Sequence, residues 1–263
     1  MNNFKKIVKK TFFYKYLLTI KIFFRQLKKK TFKEATILLY HRVANVKDDP
    51  LSLSVSINNF ENQLLYLKEK YKIISLSELI QKIKNHQSLG KCIVITFDDC
   101  YLDNYENALP ILKKLEIPAT FFVTGPYDQK NFYWENNTME KDRGIPIEEK
   151  YLKLLSENDL VEIGGHTQNH LRLSTLSKEK QEEEIEKNKL WLESVTNKEI
   201  LSFSYPFGSK DDYNQNSEII TQKLFTCVCI NEFGYINNKT SIYKLPRNLV
   251  RNLDIANFKK YSL

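Results

Sequence analysis

Three short stretches carry side chains whose types and spacing could do chemistry. In the first, the apolar run Ile93-Val-Ile-Thr-Phe97 is followed at once by Asp98 and Asp99. Adjacent acids after such a run can be a turn or a helix cap, or can supply one metal ligand and one general base. In the second, Val161-Glu-Ile-Gly-Gly165 is followed by His166-Thr-Gln-Asn-His170. Two His at i and i+4 can meet on one face of a helical turn and grip one cation. The chain has only 4 His, so two of them in this spacing after a strand is informative. The third is Ser202-Phe-Ser-Tyr-Pro-Phe-Gly208, an apolar strand closing in Pro-Phe-Gly, which alone is a turn. Of the other His, His86 lies in the polar stretch Lys84–Ser88 and reads as a solvated loop residue, whereas His41 ends an apolar run.

The elements that must position these groups alternate in type. Apolar runs at Thr36–Tyr40, Lys72–Ile74, Cys92–Phe97, Ala119–Val123, Val161–Ile163, Ile200–Ser204 and Thr226–Ile230 read as strands. Between them, Ser56 caps a helix over Ile57–Lys70, and Ser75 with Glu78 has capping-box spacing for a second helix to about Lys84. Asn104–Leu115 and Ser177–Thr196 also read as helical, the latter long and charge-rich. Strand, crossover helix and strand in repetition predict an α/β fold with a parallel sheet or a closed barrel. In such folds the chemistry gathers at the C-terminal ends of strands, where the three stretches lie. Gly125–Glu149, with Tyr127, Phe132, Tyr133 and Trp134, is the longest irregular stretch, and a loop of that length is usually functional or disordered.

Charge divides the chain into an arm, residues 1–34, and a body, residues 35–263. The arm holds 11 Lys or Arg and one acid, leaving 29 basic and 31 acidic residues to the body, so the formal +8 belongs to the arm. No basic face or module marks a nucleic-acid binder. At helical spacing Phe12, Phe13, Tyr16, Leu17, Ile20, Phe23, Phe24 and Leu27 share a face opposite Lys15, Lys21, Arg25 and Lys28. The interrupting Lys make this run too short and charged to span a bilayer, and Gln26–Lys30 offers no cleavage site for a signal peptide. Such a basic amphipathic helix suits the surface of an anionic membrane; the alternative is a helix packed on its own domain. The 4 Cys, at 92, 100, 227 and 229, form no recognisable framework and suggest a reducing, cytoplasmic compartment, with peripheral contact at the inner face of the cell membrane.

Taken together and in order, TFDDCYLDNYENALPILKKLEIPATFFVTG (Thr96–Gly125), HTQNH and YPFG resemble the NodB-like polysaccharide deacetylases, carbohydrate esterase family 4. LLYHRV (Leu38–Val43) and LPRNLV (Leu245–Val250) resemble the subgroup acting on surface polysaccharides and their precursors. The resemblance spans about Thr36 to Val250. It implies a distorted (β/α)7 barrel, here with a basic amphipathic N-terminal helix, and a metal-dependent hydrolase that removes an N-acyl group from an amino sugar. Asp99, His166 and His170 would hold one divalent cation, expected to be Zn2+, with Asp98 as base and the Phe207 backbone N–H as an oxyanion donor. Tyr205, Pro206, Phe207 and Trp134 are expected to line the substrate cleft.

The residue types suit that chemistry. An amide is a poor electrophile, and a two-His, one-carboxylate site leaves room on the cation for water and the acyl oxygen. Three departures from the family stand out. No His follows His170, so His41 becomes the candidate proton donor or site-polarising group. Cys100 stands where Gly is usual. Ser204 stands where an Arg is common, so Arg247 becomes the candidate to steady Asp98. The expected partner is an N-acylated sugar or a lipid-linked glycan. Competing readings are a non-catalytic sugar-binding relative and a hydrolase of a non-sugar C–N bond or an O-acetyl ester.

Overall fold

The computed structural model describes residues 35–126, 132, 136 and 138–261. The arm and Trp134 therefore lie outside the described residues, and with them the expected N-terminal helix.

Continuous runs of apolar residues make strands buried on both faces, and helices cover the outside. The strands are β1 (Thr36–Tyr40), β2 (Arg42–Val43), β3 (Ser54–Val55), β4 (Lys72–Ile73), β5 (Cys92–Phe97), β6 (Ala119–Val123), β7 (Val161–Gly165), β8 (Ser202–Ser204), β9 (Cys227–Cys229) and β10 (Arg247–Leu249). The helices are α1 (Ile57–Lys70), α2 (Leu76–Lys84), α3 (Leu109–Leu115), α4 (Glu149–Ser156), α5 (Lys178–Thr196), α6 (Gln215–Leu224) and α7 (Ile255–Tyr261). All strand pairs of the main sheet are parallel, in the order β10-β1-β5-β6-β7-β8-β9, with β4 on the first part of the β5 edge that β6 continues. A parallel bridge from Cys229 to Leu245, two residues before β10, brings the ends of that path together. The result is a nearly closed (β/α) barrel.

Alternation along the strands sorts side chains into two layers. Leu38, Tyr40, Ile93, Ile95, Phe97, Phe121, Phe203 and Val228 face outward to α1, α3, α5 and α6. Ile37, Val94, Phe122, Cys227 and Cys229 face a second cluster with Leu76, Leu79, Ile80 and Ile83 of α2. All 4 Cys are buried and free. Among the described residues no helix is long and apolar enough to cross a membrane.

Both Ser caps are present, Ser56 accepting the Asn59 N–H and Ser75 the Glu78 N–H, but the capping box at Ser75 is half made, since the Glu78 carboxylate takes Lys72 Nζ at 2.9 Å. Two local readings change. Asn104–Ala108 is a π turn that precedes α3, so the expected helix starts with wider winding. The His166–His170 segment is not a helical turn. Thr167 (φ 65°) and His170 (φ 52°) are left-handed, which a right-handed helix excludes.

Candidate active site

Five strand ends or starts meet at one mouth. Asp98 and Asp99 follow β5, His166 and His170 follow β7, His41 follows β1, Phe207 follows β8, and Arg247 opens β10. The carboxylate of Asp99 and the ring nitrogens of His166 and His170 lie within 4.8 Å of one another. Asp99 Oδ1 is 3.5 Å from His166 Nε2 and 3.3 Å from His170 Nε2. All three residues are buried.

The donor set fits a divalent cation. One carboxylate and two imidazoles is a common ligand chemistry for such ions. The His166 Nδ1–H donates to the Ser204 carbonyl at 2.7 Å, which leaves Nε2 with its lone pair facing Asp99. Asp99 Oδ1 is buried without a hydrogen-bond donor of good geometry. Burial pushes the Asp99 carboxyl up, but the imidazoles of His166, His170 and His41 around it hold it well below the usual carboxylate range. Burial pushes His170 down to about 4 against the pull of Asp99. An ionised Asp99 and a neutral His170 are the forms that ligate metal.

Asp98 is held apart from that cluster. Arg247 Nη1 and Nη2 donate to its two oxygens, each at 2.6 Å, and Nη2 also donates to Ser204 Oγ at 2.7 Å. Arg247 is wholly buried and sits 5.3 Å over the Phe122 ring. Burial raises the Asp98 pKa, but Arg247, with His166 and His41 nearby, more than offsets this and keeps the carboxyl below its usual value. The nearest His166 nitrogen is 4.0 Å from Asp98 Oδ2.

His41 is set by its neighbours in the chain. Its carbonyl accepts from Asn104 Nδ2 at 2.8 Å, and the same Asn104 accepts the Tyr101 N–H at 3.2 Å, just past the paired acids. Arg42 Nε donates to Asp103 at 2.9 Å, which pins the next residue. His41 Nδ1 is buried without a hydrogen-bond partner. Burial pushes the ring below its usual pKa, with Asp99 and Asp98 pulling the other way.

Phe207 is left-handed (φ 61°), and its ring lies 4.9 Å from the His170 ring. It is 41% exposed, so it offers a wall at the mouth, and Arg172 lies 5.0 Å over it. The side chain of Tyr205 is not brought there. It stacks on Tyr213 at 4.2 Å and bonds Thr221 Oγ1 at 2.8 Å, under α6. Pro206 is buried in the turn between them. Ser204, noted in the sequence only for not being Arg, contributes both its hydroxyl and its carbonyl. Alternation could have placed it, since Ser202 and Ser204 must share the inward face of β8.

Cys100 also becomes intelligible. Asp99 (φ 70°) and Cys100 (φ 61°) are consecutive left-handed residues, a conformation that Gly adopts without steric cost. The Cys100 side chain is fully buried.

Comparison with known proteins bears on the family and the fold. The family profile described as polysaccharide deacetylase matches residues 85–224. Poly-beta-1,6-N-acetyl-D-glucosamine N-deacetylase of Staphylococcus aureus (strain MRSA252) is 32% identical over 209 residues, covering 70% of this chain and 69% of that protein. The Streptococcus pyogenes deacetylase PplD, solved with acetate, superposes with a TM-score of 0.71 at 24% identity, over 88% of this chain and 98% of that one. IcaB from Ammonifex degensii gives 0.66 at 22% identity, over 86% and 93%. These two structures bear on the fold.

Proposed function

Because the chain belongs to the polysaccharide deacetylase family, we propose that it removes the N-acetyl group from an N-acetylhexosamine of a surface polysaccharide or its lipid-linked precursor. Membership makes it a hydrolase of carbon–nitrogen bonds other than peptide bonds. One observation carries the finer reading: a buried carboxylate, kept ionised by Arg247, stands beside a separate two-His, one-Asp cluster. The Staphylococcus aureus relative is named for poly-β-1,6-N-acetyl-D-glucosamine, which supports an N-acetylated amino sugar as substrate.

A divalent cation held by Asp99, His166 and His170, with Zn2+ our choice, would supply Lewis acidity to the acyl oxygen and make water a better acid. Asp98 takes the proton of the attacking water. Its two bonds to Arg247 leave it charged but aimed, and Ser204 Oγ, which accepts from Arg247, donates to Asp98 Oδ2 at 3.4 Å. The Phe207 backbone N–H donates to the acyl oxygen as negative charge grows there. His41 delivers the proton that lets the sugar nitrogen leave; because burial lowers its pKa the ring is neutral at rest, so it takes up that proton only as charge develops at the site and then passes it on. Phe207, with Trp134 of the long loop, presents apolar surface to the sugar, and Pro206 sets the turn that offers it. In our reading Tyr205 serves the cleft through its backbone.

The arm extends the proposal. A basic segment with one aromatic face would hold the enzyme on the cytoplasmic face of an anionic membrane, beside a lipid-linked substrate. Release of acetate from N-acetylglucosamine oligomers, with metal-depleted and metal-restored protein, tests the central claim. Metal-dependent acetate release is expected. Release only from O-acetyl esters would move the bond, and binding without release would make the chain a sugar-binding relative.

A further inference from the structure

Helix α5 buries a polar edge. Gln181, Glu184 and Asn188 fall on one stripe of the helix, each at most 1% exposed. Burying such groups costs free energy unless each is hydrogen-bonded. For Glu184 and Asn188 the partners lie on the His166–His170 loop. Asn188 Oδ1 accepts the His166 N–H at 2.9 Å, while its Nδ2 donates to the Val123 carbonyl at 3.1 Å. The Glu184 carboxylate accepts from Asn169 N at 2.8 Å and from Asn169 Nδ2 at 2.7 Å, with Lys180 Nζ 3.9 Å away. The Glu184 backbone carbonyl accepts the Gln168 N–H at 2.8 Å.

Three backbone N–H groups of the loop, at His166, Gln168 and Asn169, are thus held from one helix. The loop has no regular structure of its own, and Thr167 and His170 are left-handed. Three further anchors are the Gly125 N–H donating to the Thr167 carbonyl at 3.0 Å, the His166 Nδ1–H donating to the Ser204 carbonyl at 2.7 Å, and the His170 N–H donating to Thr167 Oγ1 at 3.1 Å. Gly165 belongs to the same fit: a Cβ there would lie 3.0 Å from Asn188 Oδ1 and press the amide off His166.

We infer that Glu184 and Asn188 are positioning residues of the metal centre, fixing the loop so that both imidazoles face Asp99. The inference rests on the reading of Asp99, His166 and His170 as ligands. Glu184 and Asn188 act through the backbone, so their loss loosens the spacing of two ligands without removing either. The measurable result is weaker metal binding by a protein that still folds.

Gln181 provides the control. It shares the stripe and the burial, yet its amide donates to the Leu176 carbonyl at 3.0 Å and accepts from Ser217 Oγ at 2.7 Å. Neither partner belongs to the loop.

The experiment is the Zn2+ affinity of full-length protein, by competition with a chromophoric chelator, with the melting temperature of the metal-free form recorded beside it. Asn188→Ala and Glu184→Ala are expected to raise the Zn2+ Kd by about 10- to 100-fold, the usual cost of losing a group that orients a ligand. Gln181→Ala is expected to lower the melting temperature comparably and keep the wild-type Kd. Glu184→Gln retains one acceptor and should fall between wild type and Glu184→Ala. If an alanine variant fails to fold, Asn188→Ser and Glu184→Gln carry the same comparison against Gln181→Asn. An unchanged Kd in the folded Glu184 and Asn188 variants, or an equal rise in the Gln181 variant, overturns the inference. A His166→Ala variant that keeps the wild-type Zn2+ affinity overturns the ligand assignment itself, and the inference with it.

Discussion

Asp98 and Arg247 meet in a two-pronged, fully buried contact at 2.6 Å per prong although 149 positions separate them. Removing one partner of such a pair strands the other charge, at a cost of about 3–5 kcal/mol. Arg247→Met should therefore be destabilised by that order, measured by urea unfolding. Arg247→Lys keeps a charge but loses the fork, and should fold with reduced kcat. The sign with pH follows from the lowered Asp98 pKa. Its contribution to stability is present above the unfolded carboxylate value and lost as pH falls through the folded one. Wild type should thus lose stability in acid more steeply than Arg247→Met. The acid limb of kcat/KM in Arg247→Lys should move to higher pH, and an unmoved limb would show that Arg247 does not set this group.

The two adjacent acids should part company on substitution. Asp98→Asn is expected to keep the metal and lose activity by about 10²–10⁴-fold, since an amide cannot take the water proton. Asp99→Asn is expected to lose metal. Elemental analysis beside acetate release checks both, and the reverse pattern would exchange the roles.

His41→Ala should slow amide hydrolysis far more than that of an activated aryl ester, whose leaving group needs no proton. Equal losses on the two substrates would point instead to a role in binding or in orienting Asp98.

At Cys100 the backbone is left-handed, which costs an L-residue about 1–2 kcal/mol and Gly little. Cys100→Gly should accordingly melt about 2–4 °C above Cys100→Ala, as about 1 kcal/mol shifts a domain of this size. Both should stay active. Calorimetry that ranked Ala above Gly would mean that packing around the buried thiol outweighs the backbone term.

The arm makes a separate prediction. Burying an apolar face contributes about 25 cal/mol per Å², and each Lys or Arg near anionic lipid adds about 1 kcal/mol. Protein starting near Thr31 should stay active on a short soluble oligomer yet be impaired on a lipid-linked substrate. Full-length protein should float with anionic liposomes and do so less in high salt. Failure to float, together with unfolding of the truncated protein, would assign the arm to packing.

Where burial is uniform, the sequence was readable. β1, β5 and β6 begin and end where their apolar runs do, and α1 and α2 start at their Ser caps. The acids, the His pair and His41 were legible because chemistry restricts which residues can stand there, and Arg247 because the third stretch lacked its Arg. Elements that bury polar groups were not. β10 is Arg-Asn-Leu with a charge pointing inward, which no hydrophobic period reveals. α4, α6 and α7 are short, and in α5 the groups that grip the His loop look like surface residues until their partners are seen. The outward turn of Tyr205 depends on α6, whose packing lies outside the reach of a local motif.

The parallel pairing of β1 with both β5 and β10 also governs how the chain can be made. At about 5–20 residues per second on the ribosome, Asp98 is synthesised roughly 7–30 s before Arg247 exists. During that interval the inward carboxylate has no cation to meet, and closing the barrel around it would trap a bare charge. The nascent polypeptide is thereby discouraged from sealing its interior early. Completion of the site thus waits on synthesis of Arg247, and chains released short of residue 247 should be recognisable to proteases by an open seam.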